Sequence, residues 1–223
     1  TDDNRHNLSG VYCESTEAGQ LRMVATDGHR LAMVERPAPD ELAGLKSGVI
    51  IPRKGLGELK RLLDEEETSE VELAFEGNNG LARAGDVTLM MRLIEGEFPD
   101  YQQVIPSEPK IQLILDSERL AKSLRRVVLF SSERSRAVKL EISQGEAVVT
   151  SNNPDLGEAR DEIDVDYDGE KVSIGFNARY VLDALASLHA KEIRMGLQGD
   201  LSPAVVVPTN DEDSLAVVMP MRI

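Results

Sequence analysis

Two stretches decide the fold: Ile51-Pro52-Arg53-Lys54-Gly55-Leu56-Gly57-Glu58-Leu59-Lys60-Arg61-Leu62 and Ile174-Gly175-Phe176-Asn177-Ala178-Arg179-Tyr180-Val181-Leu182-Asp183-Ala184-Leu185. Each leaves the end of an apolar strand, turns, and enters a segment whose apolar residues recur at spacings of three and four, the period of a half-buried helix. Ile51 and Ile174, Leu59 and Leu182, and Leu62 and Leu185 share one offset of 123 residues (174 − 51). The following strands, at Val71 and Ile193, stand 122 apart (193 − 71). A second echo sets Gly19-Gln20-Leu21-Arg22-Met23-Val24 against Gly145-Glu146-Ala147-Val148-Val149, ahead of Thr26-Asp27 and Asn152-Asn153. One spacing held at three core positions favours duplication over chance likeness between two sheet-rich halves. The chain therefore reads as two copies of one α+β unit, residues 1–107 and 108–223. They join near Pro106-Ser107-Glu108-Pro109, where two prolines interrupt any regular element.

Around these stretches strand signals dominate. Gln20–Ala25, Glu70–Phe75, Lys139–Ile142 and Glu162–Val165 alternate polar and apolar residues, as antiparallel strands with one wet and one packed face do. Turns separate them at Glu17-Ala18-Gly19-Gln20, Gly77-Asn78-Asn79-Gly80, Ser143-Gln144-Gly145-Glu146 and Asp166-Tyr167-Asp168-Gly169. Three helices are expected: Gly57–Leu63, Ser117–Val128 and Asn177–Leu188. The second carries an apolar face of Leu120, Leu124, Val127 and Val128, and the third one of Val181, Leu182, Leu185 and Leu188. Asp116 or Ser117 can cap the second helix and Asn177 the third. The first copy has no counterpart of the 117–128 helix. It is expected to lack its opening strand and helix, and the sequence reads as part of a longer chain.

The 223 residues suffice for one large or two small domains, and 41% hydrophobic content suffices for a core. No apolar run approaches the ~20 residues of a membrane span. No basic-then-apolar leader opens the sequence, so nothing argues for secretion. The single cysteine, Cys13, excludes an intrachain disulfide framework, fits a reducing cytoplasm and reads as a small core residue.

A net charge of −15 argues at first against nucleic acid. Binding, however, depends on where charges sit. Acidic residues gather at Asp64-Glu65-Glu66-Glu67, at Asp161-Glu162 with Asp164 and Asp166, and at Asp211-Glu212-Asp213. Arg119, Lys122 and Arg126 lie three and four apart on the 117–128 helix, opposite its leucines, with Arg125 beside them. Arg53, Lys54, Lys60 and Arg61 mark the first helix, and Arg179, with Lys191 beyond it, the third. Taken alone, such faces are ordinary solvated surface. Without Trp and with few aromatics they suit contact with a phosphate backbone better than base stacking.

Catalysis is not expected. Asp27 and His29, in Thr26-Asp27-Gly28-His29-Arg30, lack a third carboxylate or nucleophile, and Asp-Gly after a strand is first of all a turn. No Gly-x-Ser-x-Gly elbow, phosphate-binding glycine loop or spaced metal-ligand set is present, so neither metal nor cofactor is expected.

Val24-Ala25-Thr26-Asp27-Gly28-His29-Arg30-Leu31-Ala32 closely resembles the beta subunit of bacterial DNA polymerase III, the sliding-clamp family. So do Ile51–Gly55, Glu97-Phe98-Pro99-Asp100-Tyr101, Ser151-Asn152-Asn153-Pro154, Gly175-Phe176-Asn177 with Tyr180-Val181-Leu182, and Val217-Val218-Met219-Pro220-Met221-Arg222-Ile223. These segments span the chain in family order. The resemblance implies the DNA clamp fold: repeated α+β domains, antiparallel sheets outside and helices lining a hole for duplex DNA. Residues 1–107 would be most of the second domain and 108–223 the third. A homodimeric ring would encircle double-stranded DNA without reading sequence, and this chain, lacking a first domain, would not close that ring alone. Arg53, Lys54, Lys60, Arg61, Arg119, Lys122, Arg126 and Arg179 would face the DNA.

The resemblance also implies a pocket for short Gln- and leucine-bearing peptides between the second and third domains. Its users would be the polymerase III alpha subunit, the clamp loader, other polymerases and repair proteins. The matching positions are Leu8, Thr26, Gly28, His29, Arg30, Leu31, Pro99 and Val104, then Asn177, Tyr180, Pro203, Val205, Val217, Val218, Met219, Pro220, Met221 and Arg222. A Val/Met/Leu/Pro trough would grip apolar anchors, while His29, Arg30 and Asn177 satisfy polar groups. Without the resemblance, Val217–Met221 would read as an ordinary buried strand. Gln103, Ser135 and Asn7 depart from residues often found at those places. A plain dimer module without a DNA role would leave the basic helix faces without a partner.

Overall fold

The computed structural model describes residues 5–38, 45, 47–65 and 70–223. Contacts divide the chain into one unit of Thr1–Asp27 with Met33–Asp100, and a second of Gly28–Ala32 with Tyr101–Ile223. Pro106–Pro109 thus counts with the second unit.

In the first unit, strands β1 (Gly10–Ser15), β2 (Gln20–Thr26), β3 (Arg30–Pro37) and β4 (Val49–Pro52) lie in the order β4-β1-β2-β3, with β3 entering the unit at Met33. Helix α1 (Arg53–Glu65) follows, then β5 (Glu72–Glu76), β6 (Asn79–Ala84) and β7 (Val87–Arg92) in the order β5-β6-β7. The core gathers Cys13, Ile51, Ala82, Met91 and Leu93, with Leu56, Leu59 and Phe75 packed on it.

In the second unit, β8 (Ile111–Asp116) leads into α2 (Ser117–Val127) and a 3-10 turn at Val128–Phe130. Next come β9 (Ala137–Ser143), β10 (Glu146–Asn153), β11 (Gly157–Asp164) and β12 (Val172–Asn177). Then follow α3 (Ala178–Leu188), β13 (Glu192–Leu197), β14 (Ala204–Pro208) and β15 (Ser214–Val218). One sheet runs β11-β10-β9-β12 and the other β15-β14-β13-β8. Leu113, Leu120, Leu124, Ile142, Ile174, Phe176, Ile193 and Met195 are among the residues that fill the space between sheets and helices.

The two units repeat one plan. Cys13 pairs with Met23 on one side and Val49 on the other, and Ile142 pairs likewise with Ala147 and Val172. The tight turns entering β2 and β10 place Gly19 at φ +73° and Gly145 at φ +76°, a region a side chain disfavours. Ile51 and Ile174 are both buried in the strand before a helix, and Leu62 and Leu185 are buried on those helices. Among the described residues the first unit has no counterpart of β8 and α2.

Four helix limits differ from the sequence expectation, the first being the end of α1, which runs past Leu63 to Glu65. Helix α1 begins at Arg53, four residues before Gly57, because Gly55 acts as a packing residue instead of a breaker. A Cβ there would meet Met91 Sδ at 2.9 Å, so the glycine admits the β7 side chain. Helix α2 stops at Val127, and Val128 opens the tighter turn. Asn177 precedes α3 as its cap. Glu66 and Glu67, in the acidic run after α1, lie outside the described residues.

Candidate functional site: a Tyr180 platform and the basic helices

Within the second unit the segment Gly28–Ala32 is held by α3 and by the chain after β15. Gly28, at φ +84°, supplies the turn that lets His29 start a new strand direction. The His29 carbonyl accepts a hydrogen bond from the Met219 amide at 2.9 Å. The His29 and Tyr180 rings stack at 6.0 Å between centroids and 14° between planes. Arg30 lays its guanidinium 4.7 Å from the Tyr180 ring centre and forms an ion pair with Asp183. Arg179 approaches the same carboxylate at 3.8 Å. Tyr180 thus carries an imidazole and a cation, an arrangement favoured by the ring's negative face.

The C-terminal residues complete this region. Val217 and Val218 are buried in β15, Val205 in β14 and Leu31 in β3. Met219, Pro220 and Met221 are partly exposed and Arg222 is exposed. The Met221 amide donates to the Gly175 carbonyl at 2.8 Å, fixing that apolar run against β12. Asn177 is partly committed already: its side-chain oxygen accepts from the Arg179 amide at 2.9 Å as the cap of α3. Pro203 precedes β14 partly buried, and Val104 stands 38% exposed in the short turn Tyr101–Val104.

Leu8, Thr26 and Pro99 belong to the first unit. Leu8 is buried in the turn His6–Leu8, Thr26 ends β2 partly buried and Pro99 is exposed. Asn7 donates to the Glu97 carbonyl at 2.7 Å. In the second unit Ser135 bonds Ser132 Oγ at 2.7 Å and Gln103 is exposed. Asp183 was not anticipated. The signal available was its place four residues after Arg179, on the exposed side of a helix whose other side is apolar.

The basic positions are exposed. On α1 these are Arg53, Lys54, Lys60 and Arg61, with Arg61 2.8 Å from Glu58. Arg179 opens α3. On α2, Leu120, Leu124 and Val127 are buried while Arg119, Lys122 and Arg126 project on the other side. Asp116 caps this helix through the Arg119 amide at 2.7 Å.

Burial, with the neighbouring Glu14 charge, pushes the Cys13 thiol up to about 11, so it is protonated at neutral pH. Among the described residues no cluster of three or more His, Cys, Asp and Glu is arranged to hold a metal. Among them, too, no helix is long and apolar enough to cross a membrane.

Residues 1–100 match the family described as DNA polymerase III beta subunit, central domain, and residues 102–222 its C-terminal domain. The beta sliding clamp of Caulobacter vibrioides strain NA1000 is 39% identical over 226 residues, covering 100% of this chain and 60% of the relative. That of Escherichia coli K12 is 38% identical over 221 residues, covering 99% and 59%. The crystal structure of a sliding clamp from Bartonella birtlesii bound to griselimycin matches with a TM-score of 0.94 and 39% identity, over 100% of this chain and 60% of that one. A Caulobacter crescentus beta sliding clamp structure matches at 0.92 with 38% identity and the same coverage. The chain spans about 60% of the length of these relatives. With both halves matched in order, the chain belongs to the DNA polymerase III beta subunit family, over its central and C-terminal domains.

Proposed function

We propose that the chain is the central and C-terminal part of a DNA sliding clamp, a cytoplasmic, non-catalytic processivity factor that works as a homodimeric ring around duplex DNA. The observation that carries the reading is the basic side of α2, with Arg119, Lys122 and Arg126 exposed on a helix whose other side is buried, in a chain of net charge −15. Cations without stacking aromatics attract phosphates whatever the base sequence, which suits a protein that must slide. Arg53, Lys54, Lys60 and Arg61 expose further cations on α1 of the first unit, and Arg179 exposes one on α3. The test uses the full-length protein on nicked circular DNA. Loaded protein should stay on circles and leave when they are linearised, and Arg119→Glu with Lys122→Glu should shorten its stay. Retention after linearisation, or an unchanged stay in the double variant, contradicts the reading.

The platform of His29, Arg30 and Tyr180, with Met219–Arg222, is proposed as the docking site for short peptides. These would come from the polymerase alpha subunit, the clamp loader and other clamp-binding polymerases and repair proteins. A flat aromatic surface beside adaptable methionines suits partners that share anchors but not sequences. Met219→Ala should weaken a Gln- and leucine-containing peptide by about 1–3 kcal/mol. Calorimetry showing wild-type affinity in that variant removes Met219 from the site.

A further inference from the structure

The outward cations of α2 are not bare. Arg126 forms an ion pair with one carboxylate oxygen of Asp161 on β11. Arg119 lies 3.5 Å from the other oxygen and donates to the neighbouring Glu162 carbonyl at 2.6 Å. Lys122 is paired within the helix to Glu118 at 2.6 Å. The Asp161 side chain is 19% exposed, against 45% for Arg119 and 53% for Arg126, so the carboxylate sits beneath two guanidinium groups that both reach solvent. Its backbone is fixed in the β10–β11 ladder opposite Val149, so it cannot swing away with a loop.

We infer that Asp161 is a positioning counter-charge that holds Arg119 and Arg126 in place and limits how strongly α2 grips a DNA phosphate. The inference rests on the reading of α2 as a DNA-facing helix. A phosphate approaching this face competes with an anion already in place. Each guanidinium has five N–H donors in a fixed fork, so it can keep Asp161 and still offer donors outward. The three groups together carry one net positive charge instead of two. Every phosphate contact is weakened by that amount, and the helix exchanges one phosphate for the next without a deep well at any of them. A strong grip at fixed spacing would oppose sliding. Counter-charges beneath the arginines keep the attraction general and shallow.

Further observations fit this role. The buried Ser123 hydroxyl makes no full hydrogen bond, and its weaker polar contact falls on the same carboxylate. Partial burial would raise the pKa of Asp161. The hydrogen bond from Arg126, the polar contact of Ser123 and the charges of Arg126 and Arg119 outweigh it and hold the group below its ordinary value, so the counter-charge is present at physiological pH. Arg125, exposed beside this face, has no ion pair among the described residues.

The test compares the full-length wild-type protein with Asp161→Asn for equilibrium binding to a short duplex over a salt series, with ring assembly checked by sedimentation. The variant should bind roughly three- to tenfold tighter at low salt, and its salt slope should steepen by about one phosphate contact. Arg126→Ala should bind more weakly, and adding it to Asp161→Asn should remove most of the gain. Asp161→Glu, which keeps the charge, should stay near wild type. Asp168→Asn, removing an exposed acid elsewhere, controls for net charge alone. If Asp161→Asn does not assemble, Asp161→Ser takes its place in the same series. Unchanged affinity in the assembled variant while Arg126→Ala still weakens binding overturns the counter-charge role and leaves the DNA-facing helix intact. An equal gain from Asp168→Asn overturns it too. If neither Arg126→Ala nor Asp161→Asn alters binding, the DNA-facing reading of α2 falls with it.

Discussion

Arg30 and Asp183 stand 153 residues apart in the sequence, and their side chains form an ion pair that fastens the start of β3 to α3. Both are partly exposed, at 31% and 49%, so the pair contributes little to overall stability. Its consequence is placement: it holds the guanidinium over the Tyr180 ring. Asp183→Asn is expected to leave the thermal midpoint nearly unchanged, and to lower affinity for a clamp-binding peptide by about two- to fivefold, since an exposed pair is worth under ~1 kcal/mol. A titration in which the variant binds as wild type would separate the ion pair from the docking site.

Gly175 is a second control point for the C-terminal run. Its carbonyl accepts from the Met221 amide, and a Cβ at this position would lie 2.5 Å from the Met221 carbonyl oxygen and from Ile223 side-chain atoms. The Ile223 side chain can move, but the backbone oxygen cannot move without breaking the bridge. Gly175→Ala should therefore cost about 1–3 kcal/mol in urea unfolding and shift the NMR signals of Met219–Ile223. A variant as stable as wild type, with those signals unmoved, would show that the close approach is not required.

The two N-caps make a paired prediction. Asp116 accepts from the Arg119 amide and Asn177 from the Arg179 amide, at 2.7 and 2.9 Å. Replacing either with alanine leaves a helix-end donor unsatisfied and should cost about 0.5–2 kcal/mol. Both caps serve helices packed in one core, so either variant should lower the same unfolding transition. Loss of the Asn177 cap should also disturb Tyr180 fluorescence, a change not expected from Asp116→Ala.

Cys13 should resist alkylation in the folded protein. Its thiol is buried in the first core, and burial raises its pKa from 9.0 to about 11. With a raised folded-state pKa, the stability tied to the protonated thiol is complete below pH 9 and is lost as pH climbs toward about 11. Iodoacetamide at pH 8 should label native protein far more slowly than urea-unfolded protein, read by mass spectrometry. Equal labelling rates would place the thiol at the surface.

Acid should act through Asp161 and Glu141. Glu141 is held below its ordinary pKa by hydrogen bonds from Lys139 and then Lys171, both at 3.2 Å. Burial would raise Asp161, but the Arg126 hydrogen bond, the Ser123 polar contact and the two arginine charges hold it below its own ordinary value. For lowered carboxylates the stabilisation is full above their ordinary values of 4.5 and 3.8 and is lost as pH falls through the depressed folded-state values. Denaturation midpoints should thus fall below pH 4.5, and less steeply in Glu141→Gln. An identical acid profile in that variant would show that Glu141 carries none of the effect.

The sequence by itself determined the elements and their repetition, because these follow from local chemistry. Period-two alternation marks a strand with one packed face, spacings of three and four mark a helix with one, and Asp116 and Asn177 announce helix starts through side chains that reach amides two or three residues on. Ile51 with Ile174 and Leu62 with Leu185 exposed the duplication because a repeated unit needs its core residues at repeated places. Tertiary structure alone decided what crosses between elements. The start of α1 at Arg53 shows only once Met91 is found against Gly55. Arg119 and Arg126 read as free cations until β11 brings Asp161 beneath them. Arg30 acquires its place only when α3 presents Tyr180 and Asp183. That Val205, Val217 and Val218 are buried emerges only with β14 and β15 in place. Periodicity records which face of an element is buried. It carries no record of which distant charge or ring will meet that face, since that depends on strand order and register, which the packing of the whole unit sets.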